Sequence, residues 1–325
     1  MRYICHHSTD PAFNLAAEEW LLHNTDTDIF MLWRNASAVI VGRNHNTSAE
    51  INQSFVAERG ISVIRRITGG GAVFHDLGNV NYTFIHLGRP EQGIDFHRFT
   101  RPVLEAIQSM GVPCAFDGRN DLAINGLKFS GNAQHVEKDR VLHHGTLLFS
   151  SQVEDLSAAL TVSPMKYTDK AVKSVYKRVT NISSHLPEPM DVEAFISRLM
   201  FLVSGVSSLQ GLELHAGEVS AIRELADKKY ATWEWNYGAS PKYGFNQATR
   251  TPGGLVEVHL NAVGGLIEAI KIYGDFFGSL PIDDLAESLV GCEHTPDAVL
   301  ARLRGLPVER HIHGIDAAVL ARCLF

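Results

Sequence analysis

The chain has 325 residues, 45% hydrophobic and 20% charged, with a formal net charge of −7. That length buries a sizeable core and leaves room for two domains. The acidic balance argues against coating nucleic acid with the whole surface. No run of about 18 apolar residues suited to a membrane span is present. The opening Met1-Arg2-Tyr3-Ile4-Cys5-His6-His7 lacks the apolar core of a signal peptide. Cys5, Cys114, Cys292 and Cys323 are scattered without a CxxC pair, which fits a reducing cytoplasm.

In chain order, Asp10-Pro11 reads as an N-cap with proline at the first helical position, opening a helix to about His23. Strands are expected at Ile29–Trp33 and Ala38–Val41, then a short helix at Ser54–Glu58 that Gly60 terminates. Ile61–Arg66 reads as a strand delivering a glycine loop. In Asn79–Ile85, Val80, Tyr82 and Phe84 alternate with Asn81 and Thr83, the period of a half-buried strand. Asp95 starts an amphipathic helix ending at Gly111. Asp121–Ile124 and Leu127–Ser130 flank Asn125-Gly126, a two-residue hairpin turn. Lys138-Asp139 closes a second hairpin before Val141–Phe149. Helices follow at Val153–Leu160, Val192–Val203 and Val219–Lys228. The polar, Gly- and Pro-punctuated stretch Ser240–Thr251 reads as a linker. Beyond it come a hairpin, Leu255–Leu260 with Leu266–Ile272, and helices near Ile282–Val290, Pro296–Arg304 and Ile315–Cys323. The pattern is α+β: a mixed, mostly antiparallel sheet with flanking helices, then a small α+β module.

Arg65-Arg66-Ile67-Thr68-Gly69-Gly70-Gly71-Ala72-Val73-Phe74-His75-Asp76 carries the strongest chemical signal. Three consecutive glycines suggest backbone approaching a ligand closely, and arginines beside exposed N–H groups suit phosphate or carboxylate. A Walker loop would continue Gly-Lys-Ser/Thr, and a dinucleotide fingerprint would space its glycines before a helix; neither is found. Lys128 stands among small and apolar neighbours between Gly126 and Gly131, a compact charge suited to meeting an α-phosphate and a carboxylate together. Lys166–Asn181 holds five basic residues against one acid, consistent with a mobile loop closing over a polyanion or with a solvated face. His6-His7 and His143-His144 would point to opposite faces of a strand and lack a complete zinc shell.

Together these segments resemble the lipoate–protein ligases. The motifs are Arg65–Asp76, Gly118–Leu122, Lys128–Ala133, His143–Leu148 and Val179–Ile182, joined by Asp10–Glu19, Leu32–Asn35 and Trp233–Gly238. The resemblance implies a core like that of biotin–protein ligases and class II aminoacyl-tRNA synthetases, with residues 1–245 as the catalytic domain and 246–325 as the accessory domain. It implies activation of lipoate with ATP to lipoyl-adenylate and pyrophosphate. Transfer then goes to a lysine on a lipoyl domain of a 2-oxoacid dehydrogenase E2 or of the glycine-cleavage H protein. Neither nucleic acid nor membrane is an expected partner.

Carried onto this chain, the resemblance implies that Lys128 acts in both steps. Arg66, Gly71, Ala72, Val73 and Phe74 would hold the nucleotide, and Arg66, Gly70, His75, Trp33 and Leu15, with Lys128, the lipoate. Arg65 would brace the loop through a carboxylate. Asp121, with Asp76 second, would hold Mg²⁺, an ion whose few carboxylate ligands leave little trace in sequence. Alternatives are a lipoyl or octanoyl transferase using a preformed donor, and a noncatalytic lipoate- or carrier-binding protein. Cysteine-dependent transfer finds no cysteine between Phe116 and Val290, and the G-R-G-R loop of biotin ligases is absent.

Overall fold

A computed structural model describes residues 1–325 apart from 46, 89–94, 119, 161–166, 170–178, 241, 275 and 277. The fold is mixed α+β, in two compact units. One comprises residues 1–43, 62–157 and 174–232; the other comprises 44–61, 158–173 and 233–325.

The first unit is built on strands β1 (Arg2–Cys5), β2 (Ile29–Trp33), β3 (Ala38–Val41), β4 (Ser62–Arg65), β5 (Val73–His75), β6 (Asn79–Leu87), β7 (Cys114–Asp117), β8 (Asp121–Ile124), β9 (Leu127–Glu137) and β10 (Arg140–Leu148). Seven of these form one sheet in the order β1-β2-β6-β10-β9-β8-β7. Only the β1–β2 pair in it is parallel. A small sheet, β4-β3-β5, pairs β3 in parallel with β4 and antiparallel with β5. It therefore delivers both ends of the glycine loop, which connects β4 to β5.

Helix α1 (Pro11–Asn24) begins as expected: Asp10 caps it by accepting from the amides of Ala12 and Phe13, and Pro11 occupies the first turn. The apolar face of the large sheet, with Val80, Tyr82, Phe84, Phe30, Leu147 and Phe129, packs on helices Phe96–Ser109 and Val192–Ser204. Each such large side chain contributes about 1.5–3 kcal/mol by leaving water.

β6 departs from the half-buried reading, because residues 79–85 are buried on both faces. Its polar face is covered in part by α1, whose Glu18 accepts from Thr83 Oγ1 at 2.6 Å. A sheet face sealed by a helix must satisfy its polar groups internally, and that requirement shapes the site.

The Asn125-Gly126 turn forms as read, with both residues at positive φ (50° and 78°), as the tight hairpin turn requires. Beyond it the β8–β9 register slips: Leu122 faces Ser130, whereas Ala123 faces Lys128. This bulge leaves Phe129 as the extra residue, fully buried in the core.

The second unit holds β11 (Tyr167–Asp169), β12 (Tyr243–Thr251), β13 (Gly254–Val263) and β14 (Leu266–Gly274), antiparallel in that order. Its core gathers Phe245, Val256, Val258, Ile272, Leu289, Leu303 and Leu320. Ser240–Thr251 is thus mostly strand, not linker. Tyr243 and Phe245 alternate inward with polar residues outward, a β period that the flanking Gly and Pro residues obscured. The helix expected at Val219–Lys228 spans Ala216–Leu225 and continues as a wider turn, Ala226–Tyr230.

Candidate active site

The glycine loop is shaped by the arginine that precedes it. Arg66, 4% exposed, donates from Nη1 to the Ile40 carbonyl and from Nη2 to the carbonyls of Gly69 and Gly71, and its Nε donates to Thr68 Oγ1 at 2.8 Å. One planar fork thus pins both sides of the bend. Gly70 alone of the three glycines is at positive φ, +90°. Gly42 on the neighbouring strand end is equally constrained, since a Cβ there would lie 1.8 Å from the Gly70 carbonyl oxygen. Arg65, fully buried, donates to the carbonyls of Gly42 and Arg43 at 3.0 Å. These main-chain carbonyls are among the partners that hold it. They suit it because β3 ends beside it.

A buried polar chain ties this loop to the sheet. Glu18, 1% exposed on α1, accepts from His144 Nδ1 at 2.9 Å. His144 Nε2 lies 2.9 Å from the Thr68 hydroxyl oxygen, which also accepts from Arg66 Nε. Carboxylate, imidazole, hydroxyl and guanidinium form one continuous line ending at the glycine carbonyls. Glu18 also accepts from Thr83, which in turn accepts from Trp33 Nε1 at 2.9 Å.

Lys128 Nζ sits 3.0 Å from Asp121 Oδ1. It lies over Gly131, where an added Cβ would come within 2.8 Å of the amine. The Gly131 amide donates to Thr146 Oγ1 on β10 at 3.1 Å, two residues along from His144, and His144 pairs with Ala133, two residues along from Gly131. With the period of two along each strand, Gly131, Ala133, His144 and Thr146 share a face. The lysine amine and the Arg66–glycine loop are therefore anchored to the same face of the sheet, one strand apart. The Lys128 carbonyl further accepts from the Thr180 amide, so the backbone carrying the amine is held on its outer side.

The other expected residues fall around this face. Trp33 and His75 lie edge to face with ring centroids 6.1 Å apart, and Leu15 is fully buried three residues before Glu18 on α1. Phe74 is buried, Ala72 is nearly so, and Val73 is half-buried. Asp76 accepts from the amides of Gly78 and Gln152, a clamp on the β5–β6 turn. Burial pushes the thiols of Cys5 and Cys114 up to about 11, so neither is a ready thiolate.

Among the described residues no three His, Cys, Asp or Glu side chains gather around one metal position. A single carboxylate such as Asp121 nevertheless fits Mg²⁺, which takes one or two carboxylates together with substrate phosphates. Most of the basic segment, residues 166 and 170–178, lies outside the described residues, as does residue 119 of the Gly118–Leu122 motif.

Sequence reasoning assigned no role to Glu18, Thr68, Asn35 or His144. The signal for Glu18 was its spacing: it lies three after Leu15 and four before Leu22, on the buried side of α1.

Comparison with known proteins defines the class. The Lipoyl protein ligase A/B catalytic domain matches residues 10–201, and the Bacterial lipoate protein ligase C-terminus matches 240–324. Lipoate–protein ligase 1 of Staphylococcus aureus is 38% identical over the full length of both chains. Among solved structures, the bipartite lipoate protein ligase of Thermoplasma acidophilum, studied with its E2 lipoyl domain, superposes with a TM-score of 0.61 at 26% identity. That match covers 73% of this chain and 96% of the other. A lipoate-protein ligase A bound with ATP gives a TM-score of 0.60 at 25% identity, covering 73% and 98%. A mixed α+β sheet with this loop and lysine on one face thus belongs to an enzyme of acyl ligation. The chain is a member of the lipoate–protein ligase family, complete with the family's C-terminal domain.

Proposed function

We propose that this chain activates lipoate with ATP and passes the lipoyl group to a lysine of a carrier's lipoyl domain. The observation that carries the reading is a lysine ammonium fixed on the sheet face that also anchors a bare-backbone loop. In the first step a lipoate carboxylate oxygen attacks the α-phosphorus and pyrophosphate leaves. Lys128 holds carboxylate and phosphate together and offsets charge on the five-coordinate phosphorus. In the second, the carrier's amine attacks the acyl carbon and AMP leaves, with Lys128 beside the oxyanion.

Backbone from Gly71 to Phe74 lines the junction of nucleotide and acyl chain. Arg66 sets that backbone and reaches phosphate by exchanging one of its glycine carbonyls. Asp121 holds Mg²⁺, which screens the phosphate charges when bound. Trp33, Leu15 and Val73 wall the acyl chain, with Gly70 and His75 beside it. Residues 1–245 act as the catalytic domain and 246–325 as the accessory domain. E2 lipoyl domains and the glycine-cleavage H protein are the acceptors. All four cysteines are buried free thiols, in keeping with action in the cytoplasm. The raised Cys5 and Cys114 thiols count against cysteine-dependent transfer.

Lipoate-dependent exchange of pyrophosphate into ATP, followed by mass spectrometry of a lipoyl domain incubated with enzyme, lipoate and ATP, tests the reading. Exchange and a lipoyl mass increment are expected. Modification from a preformed adenylate with no exchange would overturn the ATP-dependent step.

A further inference from the structure

His75 ends β5 on the polar side of the large sheet, 3% exposed, and its hydrogen-bonding state is fixed by residues far from it in sequence. The logic starts at two carbonyls. Asn14 Nδ2 lies 3.0 Å from the Ser8 carbonyl and 2.8 Å from that of Arg34, so its amide can point only one way. Asn35 Oδ1 lies 2.8 Å from the same nitrogen, whose two hydrogens are shared among the three acceptors. The Asn35 oxygen is thereby committed to Asn14, and its nitrogen faces His75 Nδ1 at 3.0 Å. The Asn81 amide lies 3.5 Å from the same ring nitrogen, at the outer limit of a hydrogen bond.

A ring nitrogen met by amide donors must accept, so the proton of the neutral ring resides on Nε2. Burial, reinforced by His144 and Arg66, pushes His75 down to about 3, so the ring is neutral across the physiological range. His75 Nε2, with its N–H, is buried and has no partner among the described residues. A buried donor left open is unfavourable, and a bound ligand's acceptor would relieve it.

We infer that Asn35 is a positioning residue that locks His75 in the Nε2–H tautomer, presenting a neutral donor to an acceptor atom of the acyl substrate. This rests on the ligase reading above and deepens it. The acceptor is a carboxyl oxygen or a dithiolane sulfur, and the two sources are separable because octanoate has only the first.

The test begins with the ligand-free wild-type protein. Nitrogen-15 spectra of the histidine rings, with His75 assigned by its loss in His75→Leu, should show Nδ1 unprotonated and Nε2 protonated at neutral pH. The opposite tautomer, or a doubly protonated ring, would overturn the inference whatever the enzyme does. In Asn35→Asp one carboxylate oxygen faces Nδ1, which moves the proton there and turns Nε2 into an acceptor. That variant and His75→Leu should each raise KM for lipoate about tenfold, the worth of one hydrogen bond, with KM for ATP within about twofold. A rise for octanoate as well assigns the oxygen; a rise for lipoate alone assigns the sulfur. No rise with either acid, in folded variants, would refute the donor role. Absence of any lipoate-dependent exchange in the wild type would remove the ligase reading and the donor role with it, and would leave the tautomer measurement standing.

Discussion

Lys128 and Gly131 are a matched pair: the amine that pairs with Asp121 at 3.0 Å occupies the space a side chain at 131 would fill. The glycine between Ser130 and Asn132 makes room for a lysine of its own strand rather than for a ligand. Gly131→Ala should displace the ammonium without unfolding the chain, because the atom in the way is the end of a flexible side chain. Pyrophosphate exchange should fall by about tenfold or more, short of the hundred- to thousandfold expected for Lys128→Ala, the scale of one preorganised donor. Both variants should keep wild-type circular dichroism. Exchange unchanged in Gly131→Ala would mean the amine's present position is not the working one.

Stability should fall on mild acidification. His75 and His143 are pushed to about 3, and His6 and His294 to about 4, chiefly by burial, from an ordinary 6.5. A depressed histidine pKa means the unfolded chain binds protons that the folded chain refuses. The stabilisation is complete above about 6.5 and is lost as pH drops through the window between 6.5 and those folded values. At pH 5 each buried ring contributes a loss of about 2 kcal/mol, an upper bound where local opening relieves it. Urea denaturation at pH 7.5 and pH 5 should show the decline. Equal midpoints at both would refute the burial of these rings in solution.

Much of this site was legible because its parts are local. Asp10-Pro11 announces α1, Asn125-Gly126 announces the hairpin that carries Lys128, and Arg65–Asp76 is contiguous. The relay was not legible, because it joins Glu18, Thr68 and His144 from a helix, a loop and a strand whose juxtaposition only the folded sheet creates. The bulge at Lys128 was hidden for a related reason: its sequence alternates well enough to pass for a regular strand. β12 was misread because local Gly and Pro signals outweighed a period of two that its core supports.

Octanoate should serve as a substrate, less well than lipoate. Each methylene buried against walls such as Trp33 and Leu15 contributes about 0.8 kcal/mol, and octanoate keeps most of them. An apolar pocket distinguishes analogues that differ by small groups about 10- to 200-fold. Competition between the two acids in the exchange assay measures the ratio directly. Complete refusal of octanoate at saturation would mean that the sulfur atoms are read by polar groups more strongly than by shape.

Thr68 offers the sharpest probe of the polar chain, since its hydroxyl touches both His144 Nε2 and Arg66 Nε. Thr68→Val keeps the shape and removes the link, leaving a buried imidazole nitrogen and a guanidinium N–H without that partner, a cost of about 1–3 kcal/mol. Because Arg66 holds the Gly69 and Gly71 carbonyls, the loss should loosen the loop before it loosens the sheet. Amide hydrogen exchange across residues 68–72 should quicken, while β6 and β10 stay protected. KM for ATP should rise several-fold, and Thr68→Ser should restore both readouts. If exchange quickens equally in β10, the hydroxyl supports the fold at large, and the chain from Glu18 to the glycines is not a brace for the loop.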